Sequence, residues 1–141
     1  WHKILLKDTK PDVAGEIRKH HVAIAQSKFN PPASIELNAL LNEFFEWYKK
    51  EKNKLYPAEL AALVHLKFVT IHPFTDGNGR ISRLMMNFIL KKNKFPMLDI
   101  PYEKRTSYYN ALERSQIKKQ EGIFVQWFFR RYLQEFKRYL N

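Results

Sequence analysis

The 141 residues are enough for one domain with a single core. Hydrophobic residues make up 45% and aromatics 15%, which excludes a disordered tail, and no apolar run reaches the roughly 18 residues of a membrane-spanning helix. The absence of cysteine excludes disulfides and thiolate chemistry and agrees with a cytoplasmic setting, while 25 basic against 14 acidic residues, a net charge of +11, favour an anionic partner unless they form a lysine-rich solvated face.

The chain opens on Trp1 rather than Met, so residues 1–141 are expected to be a single domain excised from a longer chain. Within residues 1–10, Ile4-Leu5-Leu6 reads as the last turns of a helix begun upstream, and Pro11, Asp12 and Gly15 then break the pattern. Residues 16–32 have no helical period. Val22, Ala23 and Ile24 alternate as a short strand of a small β-hairpin flap, ended by Asn30-Pro31-Pro32, and so small a hairpin must lean on helices.

Ser34 predicts an N-cap with Glu36 in the first turn, opening a helix in which Leu37, Leu40, Leu41, Phe44, Phe45 and Tyr48 form one stripe. Its other face, with Glu43, Glu46, Lys49 and Lys50, is solvent. Pro57 begins a second helix that runs to Ile71 and is apolar nearly all round, as befits the centre of an all-α, mainly helical domain. His65 within it is expected to be packed rather than catalytic. Pro73 disfavours the α conformation at His72, so that helix should end there and present the histidine at its edge.

Ile81, Leu84, Met85, Phe88 and Ile89 predict a third helix from near Gly79 to about Lys92, and Asn93-Lys94-Phe95-Pro96 turns the chain. A fourth helix is expected from near Pro101 to about Lys119, with Gly122 as its stop. The last, from about Ile123 to Leu140, carries Phe124, Trp127, Phe128 and Tyr132 on one stripe and Phe129, Leu133, Phe136 and Leu140 on the next. That helix is either deeply buried or a contact surface for another domain.

Between the second and third helices lies Ile71-His72-Pro73-Phe74-Thr75-Asp76-Gly77-Asn78-Gly79-Arg80-Ile81, a polar loop joining two apolar segments. Gly77 and Gly79 remove side chains where the backbone must turn and approach a ligand, and with Asn78 they offer amides at the positive end of a helix, a natural phosphate site. The alternative is ordinary punctuation between helices. Arg80 and Arg83 face that same positive end, which costs roughly 0.3–1 kcal/mol each unless an anion offsets it, so they read as phosphate ligands or as plain surface arginines. Asp76 suits Mg²⁺ shared with phosphate oxygens, or a cap for the next helix. His72 can be neutral at cellular pH and take a proton from an incoming hydroxyl.

The run His72-Pro73-Phe74-Thr75-Asp76-Gly77-Asn78-Gly79-Arg80, followed by Arg83, resembles the signature of the Fic domain family at each of those positions. Ala14-Gly15-Glu16-Ile17-Arg18 and Phe29-Asn30-Pro31-Pro32 are similar to the family's pattern on either side of its flap, and Tyr108-Tyr109-Asn110-Ala111-Leu112 to an element near the nucleotide base. The resemblance implies transfer of AMP from ATP to a Ser, Thr or Tyr hydroxyl of a target protein. On that basis His72 is the base, Asp76 holds Mg²⁺, Gly77, Asn78 and Gly79 form the anion hole, and Arg80 and Arg83 grip phosphates. Phe74 anchors the loop, Tyr108 and Tyr109 meet the nucleotide, and Val22, Ala23 and Ile24 dock the target by strand addition.

The family's inhibitory segment, Ser/Thr-x-x-x-Glu-Gly/Asn, has no counterpart in these residues, so the resemblance implies that it comes from upstream, from another chain, or that regulation differs. Lys104 or Arg105 stands where the family commonly has an asparagine, which leaves nucleotide preference open. De-AMPylation, or transfer of UMP or phosphocholine, is the alternative at the same site. A basic nucleic-acid-binding module is the alternative of another class, but no helix concentrates a basic stripe interleaved with aromatics, and neither nucleic acid nor membrane is the expected partner.

Overall fold

Pro57 at the first turn of its helix, followed by fourteen residues without glycine or a further proline, sets up the element on which the molecule is assembled. The computed structural model describes residues 1–139 and contains six α-helices among them: α1 (His2–Leu6), α2 (Leu37–Glu51), α3 (Pro57–Ile71), α4 (Asn78–Lys92), α5 (Arg105–Lys118) and α6 (Glu121–Phe136). No residue of α3 is exposed, because α2, α4 and α6 all pack on it and α5 packs on α6. Phe44, Leu60, Val64, Phe68, Ile81, Met86, Phe124 and Phe128 fill the resulting core. Burying a side chain of this size contributes about 1.5–3 kcal/mol, which is why the polar chemistry is pushed to the end of α3.

The helices follow the sequence pattern with local differences. Residues Ser34–Glu36 form a single 3₁₀ turn before α2, where the Glu36 carboxylate accepts the Ala33 N–H at 2.8 Å, so Ser34 does not act as the side-chain cap. The fourth helix stops at Lys119, which takes a left-handed conformation (φ 52°). Gly122 lies instead in the first turn of α6. Ser115 makes the tight α5–α6 turn workable, its hydroxyl accepting the Phe124 N–H at 2.8 Å and donating to Gln120 O at 2.9 Å. The buried face of α4 consists of Ile81, Ser82, Met86, Ile89 and Leu90, while Leu84, Phe88 and, on α2, Phe45 are about half exposed. The expected stripes were therefore rotated by part of a turn. On α6, Phe124, Phe128 and Tyr132 are buried and Leu133 is exposed; Leu140 lies outside the described residues.

The β-hairpin flap expected around Val22, Ala23 and Ile24 is not formed as a sheet. Among the described residues there is no strand, and residues 20–32 make an irregular loop with a turn closed by Ser27 N–H to Ile24 O at 3.1 Å. A lone hairpin of this size is marginal, and the loop is tied to a helix instead, the Lys28 N–H bonding the Glu113 carboxylate of α5 at 2.9 Å.

Candidate active site

The core helix ends where its sequence predicts, but by an unexpected route. His72 leaves the α region for the left-handed one (φ 53°, ψ 56°) rather than the extended region usual before proline, at a cost on the order of 1–2 kcal/mol. Arg18 offsets that strain. Its Nε donates to His72 O at 2.7 Å, its own N–H to Pro73 O at 3.0 Å, and its Nη atoms to His20 O at 3.0 Å and Pro32 O at 2.7 Å. The side chain of Arg18 is all but inaccessible, and burial lowers its pKa, yet a guanidinium so fully hydrogen-bonded stays charged.

The imidazole of His72 is half-buried with Nδ1 3.3 Å from Val69 O, so Nδ1 carries the proton and Nε2 keeps its lone pair. Burial first, and the Arg18 charge in addition, hold its pKa below 6.5, against the Val69 carbonyl, which acts the other way. The ring therefore stands neutral at pH 7, as a proton acceptor must.

After His72 the chain folds tightly. Asn78 closes the loop with both ends of its amide, accepting the Phe74 N–H at 2.9 Å and donating to Phe74 O at 2.7 Å. Phe74 reaches toward Phe68 in the core and stacks on His2 with ring centroids 3.6 Å apart. His2, from α1, accepts the Gly15 N–H on Nδ1 at 2.8 Å and so donates from Nε2 to Asp76 O at 2.7 Å. Gly77 is needed at its position: its φ is 86°, and a Cβ there would lie 3.3 Å from that Nε2.

Asp76 is held at both oxygens. Oδ1 accepts the Gly77 N–H at 2.7 Å, and Oδ2 lies 2.8 Å from Lys10 Nζ and 3.2 Å from an Arg80 Nη. Lys10, more than any other group, holds this carboxyl below its usual range. The first intrahelical bond of α4 runs from Ile81 N–H to Gly77 O, so the amides of Asn78, Gly79 and Arg80 lead off the helix as its unbonded N-terminal donors.

A cavity of about 660 Å³ brings part of this together. His72, Gly79 and Arg83 line it from one side, Tyr108 and Tyr109 of α5 from another, and Ile24 at the loop tip from a third. Asp76, Gly77, Asn78 and Arg80 are not among its lining residues, nor are Val22 and Ala23. Arg83 also passes close over Gly79, whose added Cβ would stand 3.3 Å from an Arg83 Nη. Tyr108 is buried, and its hydroxyl lies 2.7 Å from His65 Nε2, whereas Tyr109 is more than half exposed. Burial pushes the His65 imidazole down to about 3 and the Tyr108 phenol up to about 12, so both stay neutral and share a hydrogen bond, and Arg83 acts on the phenol from the cavity side. His65 is thus packed, as its sequence setting predicts, and through Tyr108 it supports the wall next to Arg83.

Arg18, His2 and Lys10 are the residues whose roles the sequence did not reveal. Each makes at least one bond to a residue more than 50 positions away, His2 and Lys10 to Asp76 and Arg18 to His72, and such distant partners cannot be read from local sequence, although Arg18 closes the Ala14–Arg18 run.

The helices and this loop define a helical domain built round a histidine-bearing helix end and a helix start whose first amides are unbonded. The chain belongs to the Fic/DOC family, whose model matches residues 1–90. It is 40% identical over 113 residues, 79% of its length, to a protein adenylyltransferase Fic of Drosophila mojavensis, and 42% identical over 115 residues, 81% of its length, to one of Nematostella vectensis. Those matches span only 22% and 26% of the two relatives. The fold is that of Fic-1 from C. elegans (TM-score 0.84, 30% identity, 99% of this chain and 40% of that one). Among the described residues no helix is long and apolar enough to cross a membrane.

Proposed function

We propose that this domain transfers the AMP of ATP to a hydroxyl side chain of another protein and releases pyrophosphate. The observation that carries the reading is the shared cavity: a neutral histidine with a free Nε2 faces the same space as Gly79 and Arg83 at the start of α4. The volume of about 660 Å³ lies within the usual range for small-molecule sites, and the names of the relatives support this chemistry.

In the reaction, Nε2 of His72 takes the hydroxyl proton as the hydroxyl oxygen bonds the α-phosphorus. The bond from that phosphorus to the oxygen bridging the β-phosphate breaks, and pyrophosphate leaves. The amides of Asn78 and Gly79 and the guanidinium of Arg83 stabilise the charge on the phosphate oxygens, with Arg80 at the outer phosphates. The Gly77 amide is held by Asp76 until a ligand competes for it.

Asp76 fits Mg²⁺. Its Oδ2 already attracts two cations, and because no group of three or more His, Cys, Asp or Glu lies together among the described residues, an ion here would complete its shell from phosphates and water. Bound there, Mg²⁺ would neutralise charge on the α- and β-phosphates. Tyr109 and Tyr108 are offered to the nucleoside. The backbones of Val22 and Ala23 bond no other described residue, which suits them to pair with an extended stretch of target.

Incubating the chain with Mg²⁺, a lysate and ATP labelled on the α-phosphate tests the reading. Label should enter protein, and His72→Ala should lower its rate by about 10²–10⁴-fold. Incorporation only from γ-labelled ATP, or equal incorporation by His72→Ala, would refute it.

A further inference from the structure

A buried charge ordinarily meets a charge of opposite sign, because desolvating it alone is costly. Arg18 is 2% exposed, yet among the described residues no carboxylate lies within ion-pairing distance of it. Its guanidinium is spent on three carbonyls instead, and these come from separate places. One belongs to His72, and the others to His20 and Pro32, at the two ends of the loop whose tip lines the cavity. The Arg18 backbone adds a fourth bond, to Pro73 O at 3.0 Å.

A residue that only stapled the core would have no need to join these points. Two of the bonds fix the backbone that carries the base, and two fix the base of the loop. The tip of that loop is tied separately, by the Lys28 N–H to Glu113 at 2.9 Å, so the loop is pinned at root and crest. A planar fork with donors at fixed angles can hold three carbonyls at once, whereas an ammonium on a flexible stem satisfies them only one at a time or through water.

We propose that Arg18 is a positioning residue that sets the separation between the base His72 and the loop of residues 20–32, so that a hydroxyl presented along the loop arrives within reach of Nε2. This rests on the adenylyl-transfer reading for its functional consequence, though not for its structural one. None of the four Arg18 bonds reaches Asn78, Gly79 or Arg83, so nucleotide binding should depend on it far less than transfer does. A 1 Å misplacement of reacting groups, by contrast, commonly costs about 10²-fold in rate.

The test compares the full chain with Arg18→Lys and Arg18→Gln. Affinity for a non-hydrolysable ATP analogue with Mg²⁺, label transfer from α-labelled ATP to lysate protein at saturating ATP, and amide hydrogen exchange are measured on each. The proposal expects analogue affinity and core exchange in α3 and α4 to be unchanged, exchange in residues 20–32 to accelerate, and transfer at saturating ATP to fall by about 100-fold, less for whichever variant restores more of the carbonyl bonds. Parallel loss of analogue affinity, transfer and core protection would overturn it in favour of a structural staple, as would unchanged transfer. If the unsubstituted chain transfers no AMP, the adenylyl-transfer reading fails on its own. The exchange measurement then decides the positioning claim: unaltered protection of residues 20–32 contradicts it, and accelerated exchange there with an intact core upholds it.

Discussion

At the scale of single residues, the site depends on two left-handed positions five residues apart. Gly77 occupies one at no cost, so Gly77→Ala should destabilise the chain by about 1–2 kcal/mol from backbone strain alone, with further loss as the new Cβ presses on His2, and urea denaturation will measure it. His72 occupies the other, and its protonation has a predictable sign. Since burial, with help from Arg18, lowers its pKa below 6.5, the neutral base persists below the pH at which a free imidazole would be half charged. The rate of AMP transfer at saturating ATP should therefore stay level as pH is lowered past 6.5 and only then decline; a midpoint above 6.5 would contradict the assigned environment. His72, Asp76 and the two glycines could be singled out in the sequence because nine adjacent residues carry them, and of these His72 and Gly79 line the cavity. The partners of Asp76 and Asn78 could not, since Lys10 reaches Asp76 from 66 positions away and the Asn78 amide could as easily have faced a ligand as the Phe74 backbone.

The helices, at the next scale, were legible wherever one face is buried. α3 begins at Pro57 and ends at Ile71 as its apolar run and its proline signals require. Where burial is partial, as on α4, the stripe read from hydrophobicity alone was misaligned, because Leu84 and Phe88 are apolar without being core while Ser82 is core without being apolar. The flap failed as a strand for a related reason. Alternation over three residues records which side chains can share a face, but a ladder needs a partner strand, and residues 20–32 are held instead by Arg18 and Glu113. The α3–α4 connection also makes its own prediction. Asn78 supplies both bonds that close it, so Asn78→Ala should cost about 1–3 kcal/mol in urea denaturation and leave the loop's amides exchanging faster, while α6 keeps its protection.

For the whole molecule, the centre of the fold is a helix that carries a buried histidine at one point and delivers the site at its end. That has a consequence for global stability. The His65 imidazole titrates at about 3 in the folded chain and near 6.5 when unfolded, so below pH 6.5 the unfolded state binds the extra proton and stability falls as pH drops toward 3. His72 adds a smaller effect of the same sign. Urea midpoints should decline across that window, and His65→Gln should flatten the decline. Of the net charge of +11, Arg83 is the one arginine among the described residues that lines the cavity, with Arg80 and Lys10 gathered at Asp76 beside the loop. Where a nucleotide lies decides whether the start of α4 is the phosphate site. A crystal structure with ATP and Mg²⁺ measures this most directly: the phosphates are predicted against the amides of Asn78 and Gly79 with the α-phosphorus facing His72 Nε2, and phosphates lodged away from the start of α4 would contradict it.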